Sequence, residues 1–237
     1  MFSSHYAYLI GDLLSLPVWG FLFFYRKDCR KEMLWASLSI GILTVLFAPS
    51  FLKDYWRPEY LHASWAPHWP LGGIEDFLYG FFIGGVTNVI YEVTFGKQFS
   101  RIRDRRHHWK LFLIPFFAIF LSIFSTTHYL SINSLYATVI GALLLSGLMV
   151  YFRPDLWFDA VMSGVLFGAL TMMGFLIFLF LFPTIIAQWW LLENLSGILI
   201  QGIPFEELLF AFTFGAVAGP FYEFFMGLHF KKSPSHV

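Results

Sequence analysis

Carboxylic acids within long apolar stretches are the residues of this sequence best suited to chemistry. Glu75 and Asp76 begin one such stretch, Glu206 and Glu207 begin another, and Asp12 lies in a third. No Lys or Arg lies inside these stretches to neutralise the acids. A carboxyl group that is removed from water without a cation favours its neutral form, which can donate a proton to a substrate. We therefore predict acid and base chemistry at these positions.

A purely structural role for the paired acids stays open. Acids in the first turn of a helix complement its dipole, and Pro204, just ahead of the second pair, is a common helix starter. Two adjacent acids at both places, with Asp12 at a similar depth, favour the chemical interpretation.

Glu92 and Glu223 lie seventeen residues beyond Glu75 and Glu206, which is about 25 Å along a helix. They are interpreted either as supporting residues or as interfacial acids that pair with basic connections. Asn88 precedes Glu92 by one helical turn and is a weaker supporting candidate, because Gly219 takes the matching position near Glu223.

The sequence predicts neither a metal site nor a cofactor. The eight His have no ligand spacing, no HExxH motif occurs, and Cys29 is the single cysteine. Arg153, Asp155 and Asp159 suggest a magnesium–diphosphate site, but an ordinary helix start explains them as well. The net charge of zero gives no support for a nucleic-acid partner.

Composition predicts an all-α membrane protein. Of the 237 residues, 58% are hydrophobic and only 13% are charged, whereas soluble domains have about 25% charged residues. A helical span needs about 20 mainly apolar residues. Seven segments qualify, at 6–25, 33–52, 74–95, 111–130, 134–152, 158–183 and 204–230.

The positive charges predict how these spans are oriented. With the N-terminus outside, the cytoplasmic connections and the C-terminal tail hold 13 of the 15 Lys and Arg residues. Cytoplasmic loops of membrane proteins carry such an excess. We expect a protein of the cytoplasmic membrane with its C-terminus in the cytoplasm. The tryptophans between spans, including Trp56, Trp189 and Trp190, are predicted to anchor the outer interface.

An internal repeat predicts how the seven spans are organised. Residues 75–92 and 206–223 are identical at seven of eighteen positions, and Arg26-x-Asp28-x3-Glu32 matches Arg153-x-Asp155-x3-Asp159. Three spans, one linking span and three further spans give a 3+1+3 parallel repeat. Its parts are a first three-helix repeat (1–95), a basic loop with a linker helix (96–133) and a second repeat (134–237). The site is expected where spans three and seven face each other.

The motif Pro204-Phe205-Glu206-Glu207 resembles the P-x-E-[ED] signature of integral-membrane, cofactor-independent lycopene cyclases. The 3+1+3 arrangement resembles their fused form, including the cyclase half of fungal bifunctional enzymes. The first repeat has Gly73 where the family usually has Pro.

The resemblance implies redox-neutral cyclisation of a linear ψ-end to an ionone-type ring, with lycopene or a related linear carotenoid as the substrate. Glu206 and Glu75 are then the leading acid and base candidates, and Glu207 and Asp76 tune or relay the proton. Aromatic side chains, among them Phe81 and Phe212, would support the carbocation.

Two other classes stay open at this point. Small transporters of the SWEET and PQ-loop type share a 3+1+3 parallel repeat, although no Pro-Gln pair occurs here. The second is a non-catalytic scaffold that binds lipid or carotenoid. The sequence also leaves open whether the protein forms a homo-oligomer in the lipid bilayer.

Overall fold

The computed structural model describes residues 4–61, 71–97 and 132–229. This part of the chain is mostly helical. Its helices are α1 Ala7–Leu14, α2 Leu16–Tyr25, α3 Arg30–Phe51, α4 Ile74–Thr87, α5 Ile90–Thr94, α6 Ser134–Phe152, α7 Trp157–Leu181, α8 Ile185–Trp189 and α9 Phe205–Met226. Short 3-10 turns occupy Ser4–Tyr6, Pro154–Leu156 and Leu192–Asn194.

Five helical segments of the described chain are long and apolar enough to cross a membrane. They are Ser4–Tyr25, Arg30–Phe51, Ser134–Phe152, Pro154–Leu181 and Phe205–Met226, which correspond to predicted spans one, two, five, six and seven. Large apolar side chains project outward from them, such as Phe24 and Phe180, which is 85% exposed. These surfaces suit a lipid environment and indicate a membrane protein.

The prediction of one continuous helix over 74–95 was wrong. The structure has α4 and α5 there, separated at Asn88 and Val89, where the φ of Val89 is −129°. The Asn88 amide donates across to the main-chain oxygen of Ala218 on α9. This contact and the β-branched residues around Asn88 disfavour a continuing helix.

Predicted span four and most of the basic loop before it lie outside the described residues. The seven-span arrangement and the 3+1+3 repeat therefore stay predictions.

A short antiparallel pair of strands corrects the expectation that the chain has none. Strand β1, Leu199–Ile200, pairs with β2, Ile203–Pro204. Gln201 and Gly202 between them have φ values of 54° and 83°, and two consecutive positive φ values are typical of a tight hairpin turn. The hairpin leads directly into α9 and its two acids.

Glycines allow close approach between neighbouring helices in both halves. A Cβ on Gly84 of α4 would lie 2.7 Å from Cβ of Ile40 on α3. A Cβ on Gly215 of α9 would lie 2.7 Å from the main-chain oxygen of Ser163 on α7. Helices α4 and α9 also contribute to one small core, which contains Ile83 and Ala211. The two acid-bearing helices thus pack into a common interior.

Candidate active site

Asp76 lies in the first turn of α4 and accepts three hydrogen bonds. The hydroxyl of Tyr8 donates at 2.7 Å, the hydroxyl of Tyr60 at 3.0 Å and the main-chain N–H of Gly73 at 2.7 Å. In the last bond, the side chain at the third position of the helix accepts from the N–H of the N-cap residue, which the helix leaves free. Asp76 is therefore held rigidly and has little capacity left for a substrate.

Glu75 has a different environment from its neighbour. It is 1% exposed, and its Oε1 accepts a hydrogen bond of 2.7 Å from the main-chain N–H of Leu61. Its Oε2 is buried and has no hydrogen-bond partner among the described residues. One oxygen of Glu75 is thus positioned, and the other is available to carry or take up a proton.

Glu206, at the matching position of α9, is held in the same manner. It is 1% exposed, and its Oε1 accepts 2.7 Å bonds from the main-chain N–H of Ser196 and the hydroxyl of Tyr136. Its Oε2 likewise has no partner within the described ranges. Like Glu75, Glu206 combines one fixed oxygen with one free oxygen.

Glu207 corresponds to Asp76 and is bound by aromatic donors. The hydroxyl of Tyr55 donates to its Oε1, and the indole N–H of Trp190 donates to the same oxygen at 2.5 Å. In each pair the first acid thus has one oxygen bonded to a main-chain N–H and one buried oxygen without a partner in the described residues. The second acid accepts two hydrogen bonds from aromatic side chains. This arrangement leaves the first acid of each pair an oxygen that can carry or take up a proton.

The connections after α3 and after α8 are hydrogen-bonded to each other. The main-chain N–H of Arg57 donates to the main-chain oxygen of Trp189 at 2.7 Å, and the main-chain N–H of Leu191 donates to the main-chain oxygen of Tyr55 at 2.9 Å. An aromatic cluster forms around this junction. Its buried aromatic members are Tyr8, Tyr55, Tyr60, Phe178, Phe182, Trp189 and Trp190, and Tyr79 of α4 and Phe210 of α9 pack against it.

Tyr60 lies outside the apolar spans, and burial together with the charge of Asp76 raises its pKa. Its hydroxyl therefore stays protonated at neutral pH and acts as a hydrogen-bond donor to Asp76.

Asp12 lies on α1 one turn beyond Tyr8, whose hydroxyl binds Asp76. It is 3% exposed, and its Oδ2 has no partner in the described part of the chain. The carboxyl is close enough to Asp76 and Glu75 to interact with their charges. The structure thus places Asp12 beside the first acid pair.

Phe81 and Phe212 lie apart from the aromatic cluster. The ring of Phe81 is 5.3 Å from that of Trp19 and 5.9 Å from that of Phe77. Phe212 packs against Gly164 of α7. Their contacts place them in helix packing rather than against the paired acids.

Five residues that hold the acids were missed by the sequence interpretation. They are Tyr8, Tyr55, Tyr60, Tyr136 and Trp190. The prediction that Trp189 and Trp190 anchor the interface was wrong, because they are 3% and 6% exposed and pack inside the protein. For Tyr55, Tyr60 and Trp190, the density of aromatic residues in the connections was the available signal, since a buried Tyr or Trp usually needs a hydrogen-bond partner.

Glu92 and Glu223 form a second cluster with Glu32, which the sequence interpretation had not selected. All three are at most 2% exposed, and carboxylate oxygens of the three lie within 4.8 Å of one another. Asn88 is close to α9 through hydrogen bonds to Ala218 and, at 3.5 Å, to Gly219. Local spacing gave no sign of a metal site, but these oxygens are suitable ligands for a hard cation.

Two arginines near the second cluster, one from each half of the chain, make equivalent contacts. The guanidinium of Arg26 binds Asp28 and the main-chain oxygen of Lys97, and that of Arg153 binds Asp155 and the main-chain oxygen of Leu228. The bond from Arg26 lowers the pKa of Asp28, so that this acid stays charged at neutral pH.

Residues 133–225 match the family model described as lycopene cyclase. This match confirms the predicted resemblance and assigns these residues to the lycopene cyclase family. They include α6 to α8, α9 as far as Phe225, the Glu206–Glu207 pair and its partners Tyr136, Trp190 and Ser196. The fused form and the bifunctional relatives stay predictions. No curated protein and no solved structure matches the chain.

Proposed function

We propose that the protein is a carotenoid cyclase that closes an ionone-type ring at a linear ψ-end without a change of redox state. The observation that carries this proposal is the pair of buried acids at the start of α9. It lies in the region assigned to the lycopene cyclases and retains a free oxygen on Glu206. Glu75 has the matching geometry at the start of α4.

The proposed reaction needs one proton donor and one proton acceptor. The acid transfers its proton to the terminal double bond, which forms a C–H bond and leaves a tertiary carbocation. The neighbouring double bond attacks this cation and closes the ring. The base then removes a proton from the ring cation to restore a double bond, so that one proton enters and one leaves.

Glu206 and Glu75 are our candidates for the acid and the base. Each has one oxygen fixed by a main-chain N–H and one buried oxygen without a partner. Glu207 and Asp76, which are themselves fixed by the tyrosine and tryptophan donors, are our candidates for tuning or relaying the proton. Asp12 is a further candidate for proton relay to the first pair.

The aromatic cluster supplies the environment that the cation requires. Aromatic ring faces attract a positive charge, and the surrounding apolar side chains keep water from trapping it. Tyr79 and Phe210, one turn beyond Glu75 and Glu206, belong to the packing around this cluster. A linear carotenoid would reach it from the lipid bilayer. From the distribution of Lys and Arg, we place the protein in the cytoplasmic membrane with its N-terminus outside.

We also propose the 3+1+3 parallel repeat as the architecture that builds this site. Three features support it: the matched glycine contacts, the matched arginine contacts and the equivalent hydrogen bonds of the two acid pairs. A transporter of the SWEET or PQ-loop type is not favoured by the family match, and a scaffold has no need of two acids with free oxygens.

Expression of the chain in a bacterial host that accumulates lycopene tests the proposed function. Chromatography of the pigments is expected to show products with one or two rings. Unchanged lycopene in cells with well-expressed, membrane-inserted protein would exclude this substrate. Linear C50 carotenoids would then be supplied, and a second failure would refute the cyclase.

A further inference from the structure

The three-glutamate cluster is built from helices that are distant in sequence. Glu32 comes from α3, Glu92 from α5 and Glu223 from α9, and each is at most 2% exposed. Carboxylate oxygens of the three lie within 4.8 Å of one another. No hydrogen-bond donor among the described residues satisfies any of their six oxygens.

A fourth buried acid approaches the same place from α7. Asp159 is 1% exposed; its Oδ1 accepts a 2.8 Å bond from Ser163, and its Oδ2 has no partner in the described ranges. A Cβ on Gly219, one turn before Glu223, would lie 3.3 Å from Oδ1 of Asp159. Asp159 is also close enough to Glu92 and Glu223 to repel their charges.

The nearby arginines form no ion pair with the three glutamates in the part of the chain that the structure describes. The guanidinium of Arg26 donates to the main-chain oxygen of Glu92 at 2.8 Å and is paired with Asp28. Arg153 is paired with Asp155 and bonded to the main-chain oxygen of Leu228. Several carboxylates in an apolar interior cost much free energy unless protons or a metal ion neutralise them.

We propose that Glu32, Glu92 and Glu223 bind one hard divalent cation, with Asp159 at the edge of the site. The donor set consists of oxygens alone, which Mg²⁺, Ca²⁺ and Mn²⁺ prefer to softer ligands. Opposite oxygens around Ca²⁺ are about 4.6 to 5.2 Å apart and those around Mg²⁺ about 4.0 to 4.2 Å, so the observed spacing accommodates a single ion. Such an ion joins α3 and α5 of the first half to α9 of the second.

Manganese binding to the purified full-length chain in detergent tests this site. After treatment with a chelator, the protein is titrated with Mn²⁺ and followed by electron paramagnetic resonance, and its thermal unfolding is measured with and without the ion. We expect one Mn²⁺ per chain, competition by Ca²⁺ or Mg²⁺, and a raised unfolding temperature. E223Q is expected to weaken binding at least about tenfold and to abolish the thermal shift, whereas E193Q, at an exposed acid, retains both.

D159N provides a second variant if E223Q does not fold, and it is expected to weaken binding by a similar factor without removing a direct ligand. Absence of stoichiometric Mn²⁺ binding would overturn the proposal. Binding that E32Q, E92Q and E223Q all leave unchanged would overturn it as well. In either case a proton shared between the carboxyls of Glu92 and Glu223, which are close enough for this, would take the place of the metal ion. These readouts do not depend on pigment conversion.

Discussion

Tyr55, in the connection after α3, donates its hydroxyl to Glu207 in the first turn of α9. The bond joins residues 152 positions apart and ties the first half of the chain to the acid pair of the second. Next to it, the main-chain N–H of Leu191 donates to the main-chain oxygen of Tyr55. The geometry of the second acid pair therefore depends on a loop of the first half.

Removing this hydroxyl is expected to reduce both stability and activity. Tyr55→Phe leaves Glu207 with only the Trp190 donor, and a buried polar group that loses a hydrogen bond costs about 1 to 3 kcal/mol. Ring formation should fall because Glu207, which we propose tunes or relays the proton, is then held by one donor only. Thermal unfolding in detergent and pigment yield measure the two effects.

Tyr151→Phe is the matched control, since Tyr151 is 78% exposed. An unfolding temperature and pigment yield for Tyr55→Phe equal to those of this control would show that the bond has no importance.

Alanine substitutions at the interhelical glycines are expected to destabilise the protein. In Gly84→Ala and Gly215→Ala the new methyl group would lie 2.7 Å from the facing helix, and such overpacking costs about 1 to 3 kcal/mol. Gly147→Ala is the control, because nothing lies within 4 Å of a Cβ there and alanine favours the helix. Equal unfolding temperatures for all three variants would contradict the close packing.

The single cysteine is expected to resist modification in the folded protein. Cys29 is 1% exposed, and burial raises its pKa to about 12. At pH 8 the folded chain should therefore hold it as a neutral, inaccessible thiol. Labelling with a maleimide, followed by mass spectrometry, should be slow in mild detergent and complete in SDS. Equally rapid labelling under both conditions would show that this thiol is accessible in the fold.

Cyclisation in heavy water is expected to place one deuterium in each new ring. Carboxylic acids exchange their proton with the solvent, so the acid transfers a deuteron to the terminal double bond while a different base removes a proton. Mass spectrometry of pigments formed by membranes in D₂O measures this incorporation. Ringed products without deuterium would contradict protonation by an acid that is reloaded from the solvent.

Several parts of the structure followed from the sequence because they depend on local composition. The apolar segments around α3, α6 and α7 and the acids at the start of α4 and α9 were all predicted. The length and hydropathy of a segment predict a span. The acids two and three residues after Gly73 and after Pro204 indicate the start of a helix. The family resemblance of the Pro204–Glu207 motif came from the same local signal.

Other parts depended on contacts between distant segments. Periodicity alone did not reveal the break at Asn88, because the bond from its amide to α9 exists only in the folded chain. Glu32 was not selected, since its proximity to Glu92 and Glu223 requires three helices to converge. The tyrosine donors to the acids were missed for the same reason.

Substitution of the two acids with free oxygens tests the central claim most directly. Glu206→Gln and Glu75→Gln keep the shape of the side chains but cannot donate or accept the proton, and Glu193→Gln is the exposed control. In lycopene-accumulating cells with equal protein levels, we expect ringed pigments to fall at least about a hundredfold for the first two and to stay unchanged for the control. Wild-type amounts of ringed pigment from both Glu206→Gln and Glu75→Gln would contradict the account.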